Sequence, residues 1–510
     1  MISLNELNDI TDNKNWNELK NIIKPKEFPL DEKRNKVDRQ IIAKLADILI
    51  NNIKNLPDNV IILILKCMTN SSTDLGYKHQ QLSQYNRDQE DSFCNFFIKY
   101  STNNDQYPST TFPYDEVIQE VVQFLIKIPA EYQQSKITDT KLELIRISLR
   151  FLCNIMAFSD KKLAINNLDQ LIETISYLMD LDCIKENIPL MNATCSFINN
   201  ILNTFDNVQI LESQLKVISL GILKADKLGV GASRDALICL IIKPSVLRTI
   251  YESMSMDYKL YLLEIIHQSL MASVYDETDD DEDNKFKLPE CSVEFLSEKF
   301  KKRSDLILKT EEFYLDGMEP SEVIILLDIL GILTSTSSSA YQSLRKDKSL
   351  LINVIFLLKA VHMTGKENQN CFTPIQKLSE LAPSSYQNDE DSLDKDYLRH
   401  PTFGFKTALI RLIGNLVYNN KVNQDLIRET DGISLLLDCC NIDARNPLIT
   451  QWSILAIRNL TENNPENQEF IKRSQKLKFI DSTVIREMGL TLNQTESGEI
   501  LGIVPLPKDQ

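Results

Sequence analysis

Two segments near the C-terminal end of this chain repeat each other at an offset of 44 residues, and that spacing restricts the fold more than any other feature. Asn415-Leu416 answers Asn459-Leu460, Asn419-Asn420 answers Asn463-Asn464, and Asn423-Gln424 answers Asn467-Gln468. Asp425 falls on Glu469, Ile427 on Ile471 and Arg428 on Lys472, while upstream Ile410 and Ile413 fall on Ile454 and Ile457. A chain merely rich in asparagine would match its asparagines by chance. It would not also keep apolar, acidic and basic positions in step.

Helical arrays of the armadillo and HEAT kind repeat every ~40–47 residues. One such unit cannot bury its own apolar face, so neighbours have to stack on it. At 510 residues the chain is far longer than one compact core needs. Its 13 glycines and 17 prolines suit helices joined by short polar loops better than a sheet-rich enzyme. The expected fold is therefore all-α, an armadillo/HEAT-like α-solenoid of stacked helices. A weaker echo stands in the N-terminal half, where Leu152-Cys153-Asn154-Ile155 and Phe197-Ile198-Asn199-Asn200 place Asn154 and Asn199 a step of 45 apart.

The apolar pattern then divides the chain. Residues 1–40 read as a polar helical segment broken around Pro25 and Pro29, and 41–270 as helical repeats. Residues 271–290 read as an acidic loop or linker, because the like charges of Asp276–Asp283 repel each other and stay solvated. Further repeats are expected over 291–363, a polar and acidic loop over 364–396, a last helical domain over 397–495, and a tail over 496–510 packed as a flap on the last helix. Within 70–111 a long polar loop is expected, with one helix near Phe93–Tyr100. The short basic run Lys299–Arg303 is open to three readings: a localisation signal, a mate for the acidic run, or a solvated helix face.

The net charge of −16 argues against a nucleic-acid binder, which needs a concentrated basic face. The start of the chain is polar, with no signal peptide, and no apolar run reaches the ~18 residues of a membrane span. The longest, Val323–Leu333, is interrupted by Asp328. A cytoplasmic protein without membrane insertion is expected, its ten cysteines unpaired in a reducing compartment.

Chemistry leaves few traces. The four histidines, at 79, 267, 362 and 400, have no cysteine at finger-like spacing, and there is no Cys-x-x-Cys. No phosphate-cradling Gly-rich loop ends in Lys-Ser/Thr, and Gly229-Val230-Gly231 lacks the third glycine of a dinucleotide fingerprint. No catalytic residue, cofactor site or metal site is expected. What remains are helix-embedded asparagines, Asn154, Asn199, Asn415 and Asn459, with Asn70 beside them. An asparagine amide offers both a donor and an acceptor to the backbone of an extended peptide. It can equally tie down the turn after its own helix, where backbone groups are left without partners. Trp452 has two readings as well, an anchor for a partner or a core residue in register with Leu455 and Ala456.

The run Phe405-Lys406-Thr407-Ala408-Leu409-Ile410-Arg411-Leu412-Ile413-Gly414-Asn415-Leu416 closely resembles the C-terminal domain of the ataxin-10 family. Asp431-Gly432-Ile433, Leu435–Asn441, Asn446–Trp452 and Ala456–Glu462 are similar to later segments of the same domain. The resemblance is dense over roughly the last hundred residues. It implies an armadillo-repeat interaction protein with no defined catalytic residues, associated with cytokinesis. Other proteins are the expected partners, and self-association is expected where terminal helices expose an apolar face. The rivals are an armadillo-type transport adaptor, an exchange factor for a signalling GTPase, and an enzyme with a dispersed site.

Overall fold

The computed structural model describes residues 3–28, 37–72, 114–132, 136–158, 167–182, 186–205, 208–275, 286–311, 318–336, 341–367, 370–376, 400–474, 490–494 and 500–505. The helices among them fall into two compact units, one formed by residues 1–265 with 281–295 and the other by 266–280 with 296–510.

In the first unit the helices lie in two rows. One row holds α4 (Asp58–Ser72), α6 (Asp139–Phe158), α8 (Ile188–Thr204) and α10 (Ser233–Ile241). The other holds α3 (Val37–Asn52), α5 (Tyr114–Glu131), α7 (Leu168–Asp180), α9 (Glu212–Lys227) and α11 (Val246–Ser253). Two short helices, α1 (Leu4–Asp12) and α2 (Trp16–Ile22), begin the unit; Ser3 caps α1 in a capping box with Glu6, and Leu7, Ile10 and Leu19 go into the core. The N-terminal polar segment thus contributes its sparse apolar residues to burial. The division between units runs through α12 (Met256–Tyr275) and α13 (Glu290–Arg303).

The second unit repeats the two-row plan. Its first row is α14 (Met318–Ser335), α17 (Phe405–Val417) and α20 (Ile449–Thr461). Its other row is the long α16 (Lys348–Glu367), then α18 (Lys421–Glu429) with α19 (Gly432–Asp438), then α21 (Pro465–Ser474); a single turn, α15 (Gln342–Arg345), precedes α16. The 44-residue repeat is the step from α17–α18 to α20–α21. Phe405, Leu409, Ile410, Leu412, Ile413, Leu416 and Val417 are all buried, because α17 is packed by α14 on one side and α20 on the other. Gly414 faces Ala456 so closely that a Cβ would sit 3.4 Å from it, and these two small residues bring the helix axes together.

What closes each repeat is a corner built of side-chain amides. Asn420 caps α18, its Oδ1 accepting from Asn423 N at 3.2 Å, and Asn464 accepts from Asn467 N at the same distance. Asn423 Nδ2 donates to Leu416 O at 2.8 Å, and Asn467 Nδ2 to Leu460 O at 2.9 Å. Asn419 and Asn463 both take left-handed backbone, with φ of 50° and 54°, a conformation asparagine tolerates better than most residues. The corners also reach from one repeat to the one before it: Asn423 donates to Arg345 O, and Asn467 to Gln424 O. Gln424 Nε2 meets Asn459 O at 2.9 Å and Val417 O at 3.3 Å.

Four expectations need correcting. The polar stretch expected from residue 364 starts later, since α16 continues to Glu367 and residues 370–376 are clamped to the domain that follows. The expected tail flap is a strand: β2 (Ile500–Pro505) pairs antiparallel with β1 (Leu490–Gln494), Leu490 opposite Pro505. β2 carries two isoleucines and a valine, which favour pleated pairing, and β1 carries Thr491. α16 is long and apolar enough to cross a membrane, although lysines break it into shorter runs; Leu350, Leu351, Val354, Leu358 and Val361 are buried within the unit. The N-terminal echo is also shifted by one residue, as described below. The expected helix near Phe93–Tyr100, the acidic run Asp276–Asp283 and residues 377–396 lie outside the described residues.

The clamp on residues 370–376 is polar and buried. Lys406, 2% exposed, donates from Nζ to Phe372 O at 2.9 Å, with Asp443 Oδ2 at 3.9 Å. Ala444 N donates to Ile375 O at 2.7 Å, and Arg445 Nε to Thr373 O at 3.0 Å. Gly365 admits this segment, since a Cβ there would run into Phe372 O.

Two outcomes follow from these contacts. Gln424→Ala leaves buried carbonyls without donors and should lower unfolding free energy by roughly 2–3 kcal/mol. The repeat-equivalent Gln468→Ala acts at an exposed residue whose amide reaches Thr461 O, and should cost under ~1 kcal/mol. Equal losses in urea titration would contradict the buried corner. The second concerns Lys406, where burial pushes the ammonium pKa below its ordinary value while Asp443 acts the other way. A lysine that holds its proton less tightly when folded weighs against folding below its folded pKa. Stability is recovered as pH rises through that pKa toward the unfolded ~10.4. Wild type should therefore gain stability over this window relative to Lys406→Met, and parallel curves would show that burial does not disturb the amine.

Candidate interaction surface

The asparagines singled out in the sequence lie along one row of helices in each unit, and their amides turn toward the preceding helix. Asn70 Nδ2 donates to Pro25 O at 3.0 Å and Asn154 Nδ2 to Thr69 O at 3.3 Å. Asn200 Nδ2 then donates to Cys153 O at 3.2 Å. In the second unit Asn415 Nδ2 reaches Gly331 O at 3.0 Å and Thr334 Oγ1 at 3.2 Å, and Asn459 Nδ2 reaches Gly414 O at 3.0 Å. Apart from the first step and the step onto Gly331, each amide takes the carbonyl of the residue just before the previous repeat's asparagine. Gly414 O is a carbonyl the end of α17 leaves over, because Tyr418 N turns back to Asn415 O.

Asn199, the sequence's choice for the third rung, is instead 2% exposed and accepts from Asn203 Nδ2 at 3.3 Å. The rung belongs to Asn200, so the step from Asn154 is 46 residues. Two adjacent asparagines cannot be told apart by an offset that drifts by one. These amide donors are therefore spent inside the stack. They satisfy helix-end carbonyls as the turn-stabilising reading requires, yet on the neighbouring helix and not on the turn after their own.

Trp452 stands on α20, part-exposed, with the Arg411 guanidinium 6.0 Å from its ring centre. Arg411 projects from α17 toward α14, where Nη2 donates to Asp328 Oδ1 at 2.8 Å. Gly331 makes room for it, since a Cβ would lie 2.8 Å from Nη2. Three successive helices thus supply Asp328, Arg411 and Trp452 to one constellation. Beside it lies a cleft of about 230 Å³ lined by Ile324, Phe403, Ala408 and Pro447 as well as the ion pair. The sequence held a trace of this: Asp328 and Arg411 are single charges inside long apolar runs. Neither has a mate at helical spacing, so their pairing becomes visible only when α14 and α17 are side by side.

A second surface was not foreseen. On α16, Ile352, Phe356 and Met363 are 37%, 57% and 47% exposed and follow one helical stripe between Lys348, Lys359 and Lys366. The apolar face of that helix is wider than the core needs.

Reactive groups are poorly placed for chemistry. Cys439 Sγ lies 3.8 Å from His362 Nδ1, and His362 Nε2 lies 3.6 Å from Asp438 Oδ2, an order of groups that could suggest nucleophilic catalysis. Burial pushes the Cys439 thiol up to about 12, despite Lys406 nearby, so it stays a thiol at neutral pH. Burial also holds His362 below its usual value, with Lys366 and Lys406 adding to the effect. Cys195 is likewise pushed up to about 12 by burial. Among the described residues no group of three or more His, Cys, Asp or Glu could hold a metal ion.

Residues 405–502 match the spinocerebellar ataxia type 10 protein domain. Ataxin-10 of Xenopus tropicalis is 35% identical over 259 residues, 51% of this chain and 49% of that protein. Ataxin-10 of Homo sapiens is 39% identical over 180 residues, 35% of this chain and 34% of its own. An ataxin-10 homolog of Dictyostelium discoideum is 45% identical over 97 residues, 19% and 16% of the two chains. The matched region spans about half the length of the curated relatives at most. Among solved structures, an engineered protein aligns over 87% of this chain and 98% of its own at 11% identity with a TM-score of 0.28, too loose a superposition to bear on the fold. Residues 405–502 thus carry the domain that marks the ataxin-10 family, and the chain is similar to ataxin-10 proteins over about half of its length.

Proposed function

We propose that the chain is a non-enzymatic protein-interaction scaffold that acts in the cytoplasm in cytokinesis, binding other proteins and, at exposed apolar faces, further copies of itself. The observation that carries the scaffold reading is the α16 stripe. Phe356 is 57% exposed on a helix whose opposite face is fully buried, with Ile352 and Met363 in line. Large apolar side chains grouped on one exposed face mark an interaction site more often than singly scattered ones do. The role in cytokinesis comes from the family and concerns the whole protein.

The rival transport adaptor would need an acidic groove for basic peptides. The row α14, α17 and α20 offers Arg411 already paired with Asp328, and an exposed Arg458, which suits such cargo poorly.

The test is a count of nuclei per cell in cells that lack the protein, with rescue by the full chain and by a Phe356→Glu, Met363→Glu variant. Multinucleate cells restored by the wild type and not by the variant are expected, with both proteins shown by circular dichroism to be equally helical. Normal nuclear counts after loss would remove the role in cytokinesis and leave the scaffold reading to be tested by partner capture.

A further inference from the structure

The cleft between α14 and α17 has a composition that specifies what it can hold. Its volume, about 230 Å³, is below the ~300–1,000 Å³ of usual small-molecule sites. A partner helix, ~10–12 Å across with its side chains, is far too wide. One side chain of leucine or phenylalanine size is what the apolar walls Ile324, Phe403, Ala408 and Pro447 leave room for.

The polar edge is the Arg411–Asp328 pair. The two use one donor and one carboxylate oxygen on each other, Nη2 to Oδ1 at 2.8 Å. Arg411 Nε is buried without a hydrogen-bond partner. A guanidinium carries five N–H donors and a carboxylate several lone pairs, so both partners have capacity to spare. Arg411 is 28% exposed and Asp328 35%, and both line the cleft. A donor and an acceptor fixed side by side match the C=O and N–H that one residue of an extended chain turns to the same side. They match a free carboxylate or phosphate poorly, because Asp328 would repel it. A basic side chain would have to compete with Arg411.

On the α20 side the surface continues through Trp452, against Arg411, to Leu448 and Leu455, each about one turn from it on either side, 61% and 37% exposed. Leu448 holds left-handed backbone at φ 62°, where its repeat partner Gly404 has φ 75°. A leucine kept exposed at a position that glycine fills more easily is strained, and strain of this kind collects at binding sites.

We propose that this cleft docks one residue of an extended partner segment, with the residue's C=O on Arg411, its N–H on Asp328, and an adjoining apolar side chain between Ile324, Phe403 and Pro447. The proposal rests on the protein-binding reading above and narrows it to an extended, uncharged, apolar segment.

Trp16 and Trp452 are the only tryptophans in the chain, so a Trp16→Phe background makes Trp452 a reporter of the site. Random dodecapeptides displayed on phage are selected against the full chain, and the enriched peptides are synthesised and titrated by fluorescence. Peptides carrying a central leucine, isoleucine or phenylalanine should shift the Trp452 emission. They should bind about ten-fold or more weakly to Ala408→Phe, which fills the cleft, and to Asp328→Ala, which removes an acceptor. Circular dichroism melts identify whether either variant is misfolded, and the two act by different means. Peptides that bind equally to wild type and both variants would overturn the site while leaving the scaffold reading intact. Failure to enrich any peptide would overturn the site and also weigh against the scaffold reading. Enrichment of peptides dominated by acidic or basic residues would overturn the proposed chemistry.

Discussion

The structure depends on one kind of contact, a side-chain amide of one helix donating to a main-chain carbonyl of the helix before it. Apolar burial brings the helices together, but it is non-directional and tolerates sliding. A hydrogen bond from Asn459 to Gly414 O does not: if α20 moved by one residue along α17, the donor would face a carbonyl already bonded inside the helix. Each such bond contributes only ~1 kcal/mol net, while leaving its acceptor buried and bare costs ~1–3 kcal/mol. The amides therefore act mainly by penalising wrong registers. Gly331, Gly414 and Ala456 serve the same end by letting the helices approach closely enough for short side chains to reach.

This explains which parts of the fold the sequence discloses. The 44-residue repeat was visible because the corner uses chemically specific residues at fixed places: Asn420 and Asn464 as caps, Asn423 and Asn467 as bridges. Those positions tolerate few substitutes, so the pattern persists. Rung assignment in the N-terminal half was less legible, since Asn199 and Asn200 are adjacent and only packing decides which one meets Cys153 O. The interaction surface was hardly legible. Asp328 and Arg411 are 83 residues apart and pair only through the stacking of their helices. The α16 stripe was hidden by an ambiguity of apolar residues, which look alike in a sequence whether they face the core or the solvent.

Spending the asparagines inside the stack has a functional consequence. In a groove whose amides point outward, affinity for an extended peptide comes from those amides, and sequence tolerance with it. Here Asn415 and Asn459 donate to the preceding helix, so any groove along α14, α17 and α20 must recognise its ligand by other groups. The groups that remain at the surface are an arginine–aspartate pair, a tryptophan and exposed leucines. These favour apolar content, and recognition is concentrated at a few places. The lysine-flanked stripe on α16 lies in the other row of helices, so one unit offers two chemically different surfaces.

The ladder also has a direction. Every rung is a donor on the later helix and an acceptor on the earlier one, so each repeat supplies a carbonyl to the repeat that follows it in the same unit. By the pattern of Thr69, Cys153 and Gly414, the carbonyl α20 would present is that of Arg458. It is covered by its own turn: Glu462 N donates to it at 3.0 Å and Thr461 Oγ1 stands 3.1 Å away. The residue at the equivalent interior position is Val417, which cannot do this, and there the carbonyl of Gly414 is left for Asn459. A change from valine to threonine, 44 residues on, turns an acceptor meant for a neighbour into one satisfied at home. The rung series thereby closes at α20 with no donor required from a further repeat, whereas the apolar residues Leu448, Ile454 and Leu455 of the same helix stay exposed. The end of the ladder is polar-satisfied and apolar-open, which suits a surface that must remain folded without a partner and still gain from binding one.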